Sequence, residues 1–278
     1  MYSLFQYNEF ALEYLTIGTG PKTILYFHGY GKSAEEYHDY ELKNMGNFTI
    51  YSFNFFHHGN SVYPNTKIHT NTLSILEFKE IIQAFLTAKK IHSFGLIGYS
   101  MGGKICLNIL LAFPEKIDFL ILNAPDGVKR NFWYQFTSKN KLGNSLYKKL
   151  IDKPKFFFGF VKILQSTRII DKKLANFTKE RLDTREKRVH VYNVWMTIRD
   201  LEPDKKLLIQ TIKKYKIKTL LNYGKFDKVI TPKYGQRFHD TIKPHSYLNL
   251  MDKGHNLPYV ETGNKISEFL AKINRETV

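Results

Sequence analysis

The fold of this chain turns on one stretch, Ser93-Phe94-Gly95-Leu96-Ile97-Gly98-Tyr99-Ser100-Met101-Gly102-Gly103. The apolar run through Ile97 suits a buried strand, and the residues from Met101 to about Ala112 suit a helix, so Gly98-Tyr99-Ser100-Met101-Gly102 falls on a strand-to-helix turn. So sharp a turn forces its central residue into a strained backbone conformation. Small neighbours let the chain approach closely, and the Ser100 hydroxyl then projects from the end of the sheet. That hydroxyl also stands at a helix N-terminus, where exposed amides favour developing negative charge.

Outward from this turn the same alternation repeats. Thr23 to Phe27 reads as a strand ending in His28-Gly29-Tyr30-Gly31, followed by a helical stretch near Ala34 to Asn44. Phe48 to Phe53 is the next strand, then the loop Asn54-Phe55-Phe56-His57-His58-Gly59-Asn60-Ser61 and an amphipathic helix near Thr72 to Lys89. Phe119 to Leu122 closes another unit at Asn123-Ala124-Pro125. Apolar runs spaced by helical segments predict an α/β fold, a mostly parallel central sheet flanked by helices. From Asp126 to Asp204 the strand rhythm stops and helices are expected over Leu146 to Ile151, Phe156 to Leu164, Lys172 to Arg181 and Lys187 to Ile198. The rhythm resumes with Leu220 to Tyr223, a helix near Pro232 to Ile242, the run Tyr247 to Leu250 and a last helix near Ile266 to Ile273. The expected organisation is a core of residues 1–125 and 205–278 interrupted by a helical insertion over 126–204.

Composition bounds the partners. With 278 residues, 43% hydrophobic and 24% charged, the chain reads as one large domain or a domain with an insertion, and disorder is excluded. Apolar runs such as Phe119 to Leu122 fall far short of the roughly 20 residues a spanning helix needs. The start, Met1-Tyr2-Ser3-Leu4-Phe5-Gln6-Tyr7, lacks the pattern of a secretion signal, and the lone Cys106 suits a reducing compartment; a cytoplasmic location is expected. The net charge is +17, and residues 129–199 hold 18 Lys and Arg against 5 Asp and Glu, so +13 of it lies in the insertion. That charge is open to three readings: a solvated surface, attraction of anionic or lipid-like substrates, or contact with an acidic membrane surface through segments such as Lys153 to Lys162, where aromatics stand among lysines. No nucleic-acid recognition motif accompanies it.

A serine hydroxyl is a weak nucleophile and needs a base that an acid orients. Asp227 follows the strand ending at Tyr223, in Gly224-Lys225-Phe226-Asp227-Lys228-Val229-Ile230-Thr231-Pro232, and His255 follows the run ending at Leu250, in Lys253-Gly254-His255-Asn256. All three fall at strand C-terminal ends, where open parallel sheets build sites. Asp126, just after the strand through Leu122, is an alternative acid. The turn after the Thr23 to Phe27 strand would let the backbone N–H of Tyr30 join that of Met101 as an oxyanion hole. His28 is expected to hold its turn. The early histidines His28, His38, His57, His58 and His69 come without an HExxH or cysteine ligand pattern, so no metal site and no cofactor is expected. Cys106 is expected to pack.

With these pieces in order, the chain resembles the α/β-hydrolase fold serine hydrolases with a helical cap inserted after the sixth strand. The resemblance rests on the HGYG turn, the GYSMGG elbow, the GKFDKVITP acid loop and the KGHN base loop, and covers most of residues 1–125 and 205–278. It implies Ser100 as nucleophile, His255 as base and Asp227 as orienting acid, acting on a small-molecule acyl substrate without a cofactor. Serine at position 100 argues against the dehalogenase and epoxide-hydrolase branches, whose nucleophile is a carboxylate. Relatives with this triad cleave esters, thioesters, lipids or carbon–carbon bonds, or eliminate small acids, and the elbow also resembles that of a lyase-like menaquinone-pathway branch. The loop 54–61 departs from the family pattern, with Asn54 where an acidic residue is common. Two other classes compete: a non-catalytic small-molecule binding protein, and an NTPase, because Gly98 to Lys104 nearly satisfies a phosphate-cradling loop but has Ile105 where a metal-binding hydroxyl belongs.

Overall fold

The computed structural model describes all residues except 44, 65, 68–71, 130–131, 168–171 and 277–278. The chain divides into two compact units, one of Met1–Tyr63, Ser74–Lys129 and Leu201–Val278, the other of Pro64–Leu73 and Arg130–Asp200.

The first unit is built on eight strands: β1 (Tyr2–Tyr7), β2 (Phe10–Ile17), β3 (Lys22–Phe27), β4 (Phe48–Asn54), β5 (Phe94–Tyr99), β6 (Ile117–Asn123), β7 (Lys218–Gly224) and β8 (Ser246–Met251). They lie in the order β1-β2-β4-β3-β5-β6-β7-β8. β1 and β2 form an antiparallel hairpin that joins β4 antiparallel, and every other pairing is parallel. β5 is buried along its whole length, as an interior parallel strand covered on both faces must be. Strand order reverses at β3: its successor β4 lies on one side and β5 on the other. The crevice beyond the C-terminal ends of β3 and β5 is therefore the topological switch point, where α/β sheets place ligands.

Five helices accompany the sheet among the described residues: α2 (Ile75–Ala88), α3 (Met101–Ala112), α9 (Lys205–Tyr215), α10 (Pro232–Ile242) and α11 (Tyr259–Glu276), with a single turn α1 (Glu36–Asp39). α2 begins at Ser74, whose side chain accepts from the Glu77 N–H as an N-cap. Its Phe85 meets the rings of Phe5, Tyr14, Tyr51 and Phe53 at 4.9 to 5.3 Å, which pins the helix to the hairpin end of the sheet. α11 buries Ile266, Phe269 and Leu270 in one cluster with Ile24, Ile97, Ile121 and Leu220 from four strands. Cys106 is fully buried in α3, and burial pushes its thiol well up, so it packs as a small apolar residue.

A polar row crosses this apolar sheet. Asn249 donates to Asn222 at 2.9 Å, Asn222 to Asn123 at 2.8 Å, and Asn123 lies 3.4 Å from the Tyr40 hydroxyl. The three asparagines are register neighbours across β6, β7 and β8, so parallel pairing itself aligns the amides.

The second unit contains α4 (Phe132–Lys139), α5 (Lys141–Asp152), α6 (Pro154–Ser166), α7 (Lys172–Leu182) and α8 (Arg185–Thr197). Its centre is aromatic: Tyr147 stacks on Tyr192 at 5.6 Å and meets Trp195 at 5.9 Å, and Tyr134 meets Trp195 edge-on at 5.4 Å. Buried Arg188 donates to the carbonyls of Ile151, Leu182 and Asp183, satisfying acceptors at the ends of α5 and α7. Residues 64–73, read from sequence as part of the core, belong to this unit: the Leu73 N–H donates to the Thr197 carbonyl, and the Thr72 hydroxyl bonds Asp200. Contacts more than 120 residues apart in sequence leave no local signal.

Other expectations change as well. The helix expected over 34–44 is only Glu36–Asp39 among the described residues. The stretch is instead fixed by distant groups, with the Ala34 N–H donating to Asn54 Oδ1. The β1–β2 hairpin had no strong turn signal, since its Asn8-Glu9 corner lacks a glycine and Asn8 itself takes the left-handed conformation at φ 52°. α4 and α9 were not anticipated.

Asn222→Ala should lower unfolding free energy by about 2 to 3 kcal/mol, because Asn123 and Asn249 would each lose a buried partner. Urea denaturation of the variant beside the parent chain checks this.

Candidate active site

Ser100 is the single residue between β5 and α3, at φ 50° and ψ −111°. Positive φ is costly for a residue with a Cβ. The surrounding backbone compels it: the Ser100 N–H donates to the Asn123 carbonyl, and the Ser100 carbonyl accepts from Gly103 and Asp126, all at 2.9 Å. Close approach needs the flanking glycines. A Cβ on Gly98 would stand 2.5 Å from the Gly102 carbonyl oxygen, and one on Gly102 would strike the Phe27 carbonyl at the end of β3.

His255 reaches this serine from the loop after β8. Its Nε2 lies 3.0 Å from Ser100 Oγ and its Nδ1 2.8 Å from Asp227 Oδ2. An ionised carboxylate only accepts, so Nδ1 carries the proton and Nε2 is left to accept from the serine hydroxyl. Asp227 is buried, and its other oxygen accepts from the Val229 and Ile230 N–H groups at 2.8 Å each. The loops that carry Asp227 and His255 are tied together, since the Lys225 N–H donates to the Met251 carbonyl and that of Phe226 to the Lys253 carbonyl. The alternative acid is otherwise engaged: Asp126 accepts from the Gly127 N–H, and the imidazole faces Asp227.

Tyr99 completes the arrangement and was not singled out from sequence. Its ring stacks on the His255 imidazole at 5.7 Å, and its hydroxyl lies 3.1 Å from the His255 carbonyl. The variable position of a GxSxG motif carries no signal for such a role.

The His28-Gly29-Tyr30-Gly31 turn lies beside Ser100; a Cβ placed on Gly29 would be 3.6 Å from that of the serine. Three buried side chains hold it. His28 Nδ1 donates to the Gly29 carbonyl at 2.7 Å and Nε2 accepts from the Phe55 N–H at 3.1 Å. Glu36 accepts from the Gly29 N–H at 3.2 Å and from the hydroxyls of Tyr26 and Tyr259 at 2.8 Å. His58 Nε2 accepts from the Gly31 N–H at 3.2 Å, and its Nδ1 lies 3.1 Å from the Phe56 carbonyl. Burial pushes the His28 imidazole down from the ordinary 6.5 to about 3, with nearby His58 adding to the effect. Burial raises the Glu36 carboxyl, although its hydrogen bonds and Lys32 pull the other way. Met101 is the first residue of α3, so its N–H is among those without an intrahelical acceptor. His28 and His58 thus hold backbone, and His69 lies outside the described residues.

The departure at Asn54 has a structural answer. Asn54 Oδ1 accepts from the Ala34 N–H at 2.7 Å while its Nδ2 donates to Glu13 Oε2 at 2.6 Å. Glu13, buried on β2, also accepts from the Asn60 N–H at 3.0 Å and the Asn60 side chain at 2.6 Å. Burial raises the Glu13 carboxyl, but these hydrogen bonds outweigh it and hold the group below its usual range. The loop therefore gets its carboxylate from a strand 41 residues upstream. Lys104, the cation of the phosphate-loop reading, is buried and paired with Glu202. Only Ser100 separates the end of β5 from the start of helix α3, which leaves no loop to wrap a phosphate chain.

Residues 22–262 match the alpha/beta hydrolase fold family, and the chain belongs to that family. A Mycoplasma genitalium protein named "Putative esterase/lipase 2" is 30% identical over 102 residues, 36% of this chain and 37% of its own. The match thus spans little more than a third of that relative's length. Among solved structures, a thermophilic esterase from Thermogutta terrifontis superposes with a TM-score of 0.67 at 17% identity, over 98% of this chain and 99% of that one. A haloalkane dehalogenase from Bradyrhizobium elkani superposes with a TM-score of 0.69 at 14% identity, over 99% of each chain. At such identities the likeness speaks to fold alone.

Asn54→Asp would set a second carboxylate against Glu13 and should cost about 2 to 4 kcal/mol at neutral pH, with Glu13→Gln in the same chain recovering at least half. Thermal or urea unfolding of the four chains checks the coupling. For His28 the folded value lies below the unfolded one, so between pH 6.5 and about 3 the unfolded state binds the extra proton and stability falls as pH falls. In that window His28→Gln should lose stability less steeply than the parent chain, by up to about 1.4 kcal/mol per pH unit, measured by urea midpoints over a pH series.

Proposed function

We propose that this protein is a serine hydrolase that cleaves a carboxylic ester or related acyl substrate through an acyl-enzyme on Ser100. The observation that carries this reading is the continuous hydrogen-bonded line from Ser100 Oγ through His255 to Asp227 at the sheet's switch point. Family membership and an esterase/lipase-named relative support a hydrolase enzyme.

His255 Nε2 takes the proton as Ser100 Oγ attacks the acyl carbon, and the carbonyl π pair moves to oxygen. The resulting oxyanion is received by the backbone N–H groups of Tyr30 and Met101, donors typically worth about 3 to 4 kcal/mol each. Collapse expels the alcohol, which takes the proton from His255. Water then repeats the sequence on the acyl-enzyme and releases the acid and free Ser100. Asp227 keeps the imidazole in the required tautomer and stabilises its charged form. Tyr99 limits rotation of the imidazole away from the serine. The Ser100 strain suits the role, because the turn directs its Cα–Cβ bond away from the sheet.

Ser100→Ala should stay folded and lose roughly 10⁴-fold or more in turnover of nitrophenyl esters. Intact-mass analysis after fluorophosphonate treatment should give one adduct on the parent chain and none on the variant. Retained esterase activity in Ser100→Ala would sink the assignment. An adduct on Ser100 with negligible turnover across ester lengths would instead favour carbon–carbon cleavage or elimination by the same triad.

A further inference from the structure

We infer that α5 and α6 of the second unit, through their exposed apolar and lysine side chains, dock on an anionic lipid surface. Two observations meet there. Leu142 and Leu146 on α5, four residues apart, are 79% and 51% exposed, and Phe156 and Ile163 on α6, seven residues apart, are 76% and 60% exposed. Both spacings keep a pair on one side of its helix. The exposed leucine, isoleucine and phenylalanine side chains are therefore stripes, and an apolar stripe facing water marks a surface used for contact.

The second observation is charge. Residues 141–166 contain six lysines, Lys141, Lys148, Lys149, Lys153, Lys155 and Lys162, against one acidic residue, Asp152. Asp152 is itself paired with Arg185 at 2.9 Å. On α6 the lysines 155 and 162 repeat the spacing of Phe156 and Ile163 one position earlier, so an exposed cationic stripe runs beside the exposed apolar one. Val161, on the other side of α6, is buried, which orients the helix with these stripes outward. Apolar groups entering the acyl boundary beside lysines at the level of acidic headgroups are how an interfacial helix binds.

Other occupants fit less well. A second copy would bring six lysines against six. A nucleic acid would gain from the lysines but nothing from exposed Leu142, Leu146 and Ile163, and no arginine lies in residues 141–166 to stack on bases or grip phosphates bidentately. A bilayer rich in acidic lipid uses both features at once. This inference does not depend on catalysis.

The test is co-sedimentation of the whole chain carrying Ser100→Ala, so that binding is read without turnover. It should pellet with vesicles of equal parts phosphatidylglycerol and phosphatidylcholine and stay in solution with phosphatidylcholine alone. The pair Leu142→Ser with Phe156→Ser, and separately Lys155→Gln with Lys162→Gln, should each weaken binding roughly tenfold. The second pair should also flatten its dependence on salt. Lys205→Gln with Lys206→Gln removes as much charge from exposed positions on α9 and should change affinity less than about twofold. Failure to pellet with the anionic vesicles at low salt would overturn the inference. So would equal losses from the α9 pair, indifference to the Leu142 and Phe156 substitutions, or a clear preference for a single-stranded RNA oligomer over the vesicles.

Discussion

The backbone of Ser100, held at positive φ between β5 and α3, is the constraint on which the rest of the first unit depends. It exists only because the end of β3, the end of β6 and the start of α3 converge with no Cβ atoms between them. The convergence carries three consequences. It points one hydroxyl out of the sheet edge, it brings an uncapped helix start beside that hydroxyl, and it places both at the point where strand order reverses. Asp227 and His255 then need only short loops from the next two strands, and the backbone bonds between those loops fix their spacing.

Around this centre buried polar groups hold backbone rather than one another's charge. His58 and Glu36 accept from N–H groups of the turn beside Ser100, His28 ties that turn to the Phe55 N–H of the loop after β4, and two tyrosine hydroxyls satisfy the rest of Glu36. Such groups are costly when unpaired in a low-dielectric interior, and fully paired they leave the turn little freedom. Glu13 extends the same logic. The carboxylate that meets loop 54–61 stands on β2, and Asn54 bridges it to the Ala34 N–H.

The second unit divides its residues between two solvents. Tyr134, Tyr147, Tyr192 and Trp195 pack together inside, and Arg188 closes helix ends there. The charge excess that dominates the chain's composition lies mainly in this region, and on α5 and α6 it accompanies exposed apolar side chains. Net charge by itself left several readings open; the exposure of Phe156 and Leu142 beside lysines is what the inferred lipid contact adds to it.

Much was legible in one dimension. Alternating apolar runs and helical segments specified an α/β fold, and the elbow, acid loop and base loop stood at strand ends because strand ends follow from local pattern. Helix α10 begins at Pro232, where a ring that lacks an N–H belongs at a first turn, and its expected span Pro232 to Ile242 is the observed one. Ser100 and His255 stood out from residue type and order, and Asp227 stood beside one alternative, Asp126. What the sequence left open was every choice between partners that lie far apart in the chain. Asp227 or Asp126 as the carboxylate facing His255, Glu13 as the counterpart of Asn54, Tyr99 against the imidazole, and residues 64–73 within the second unit are settled by distances of a few ångströms between residues as many as 156 positions apart. Local propensity and periodicity reach only a few residues along the chain, so they determine which elements form and where each presents its reactive ends. The pairing of those ends is a property of how the sheet closes, and only the tertiary structure decides it.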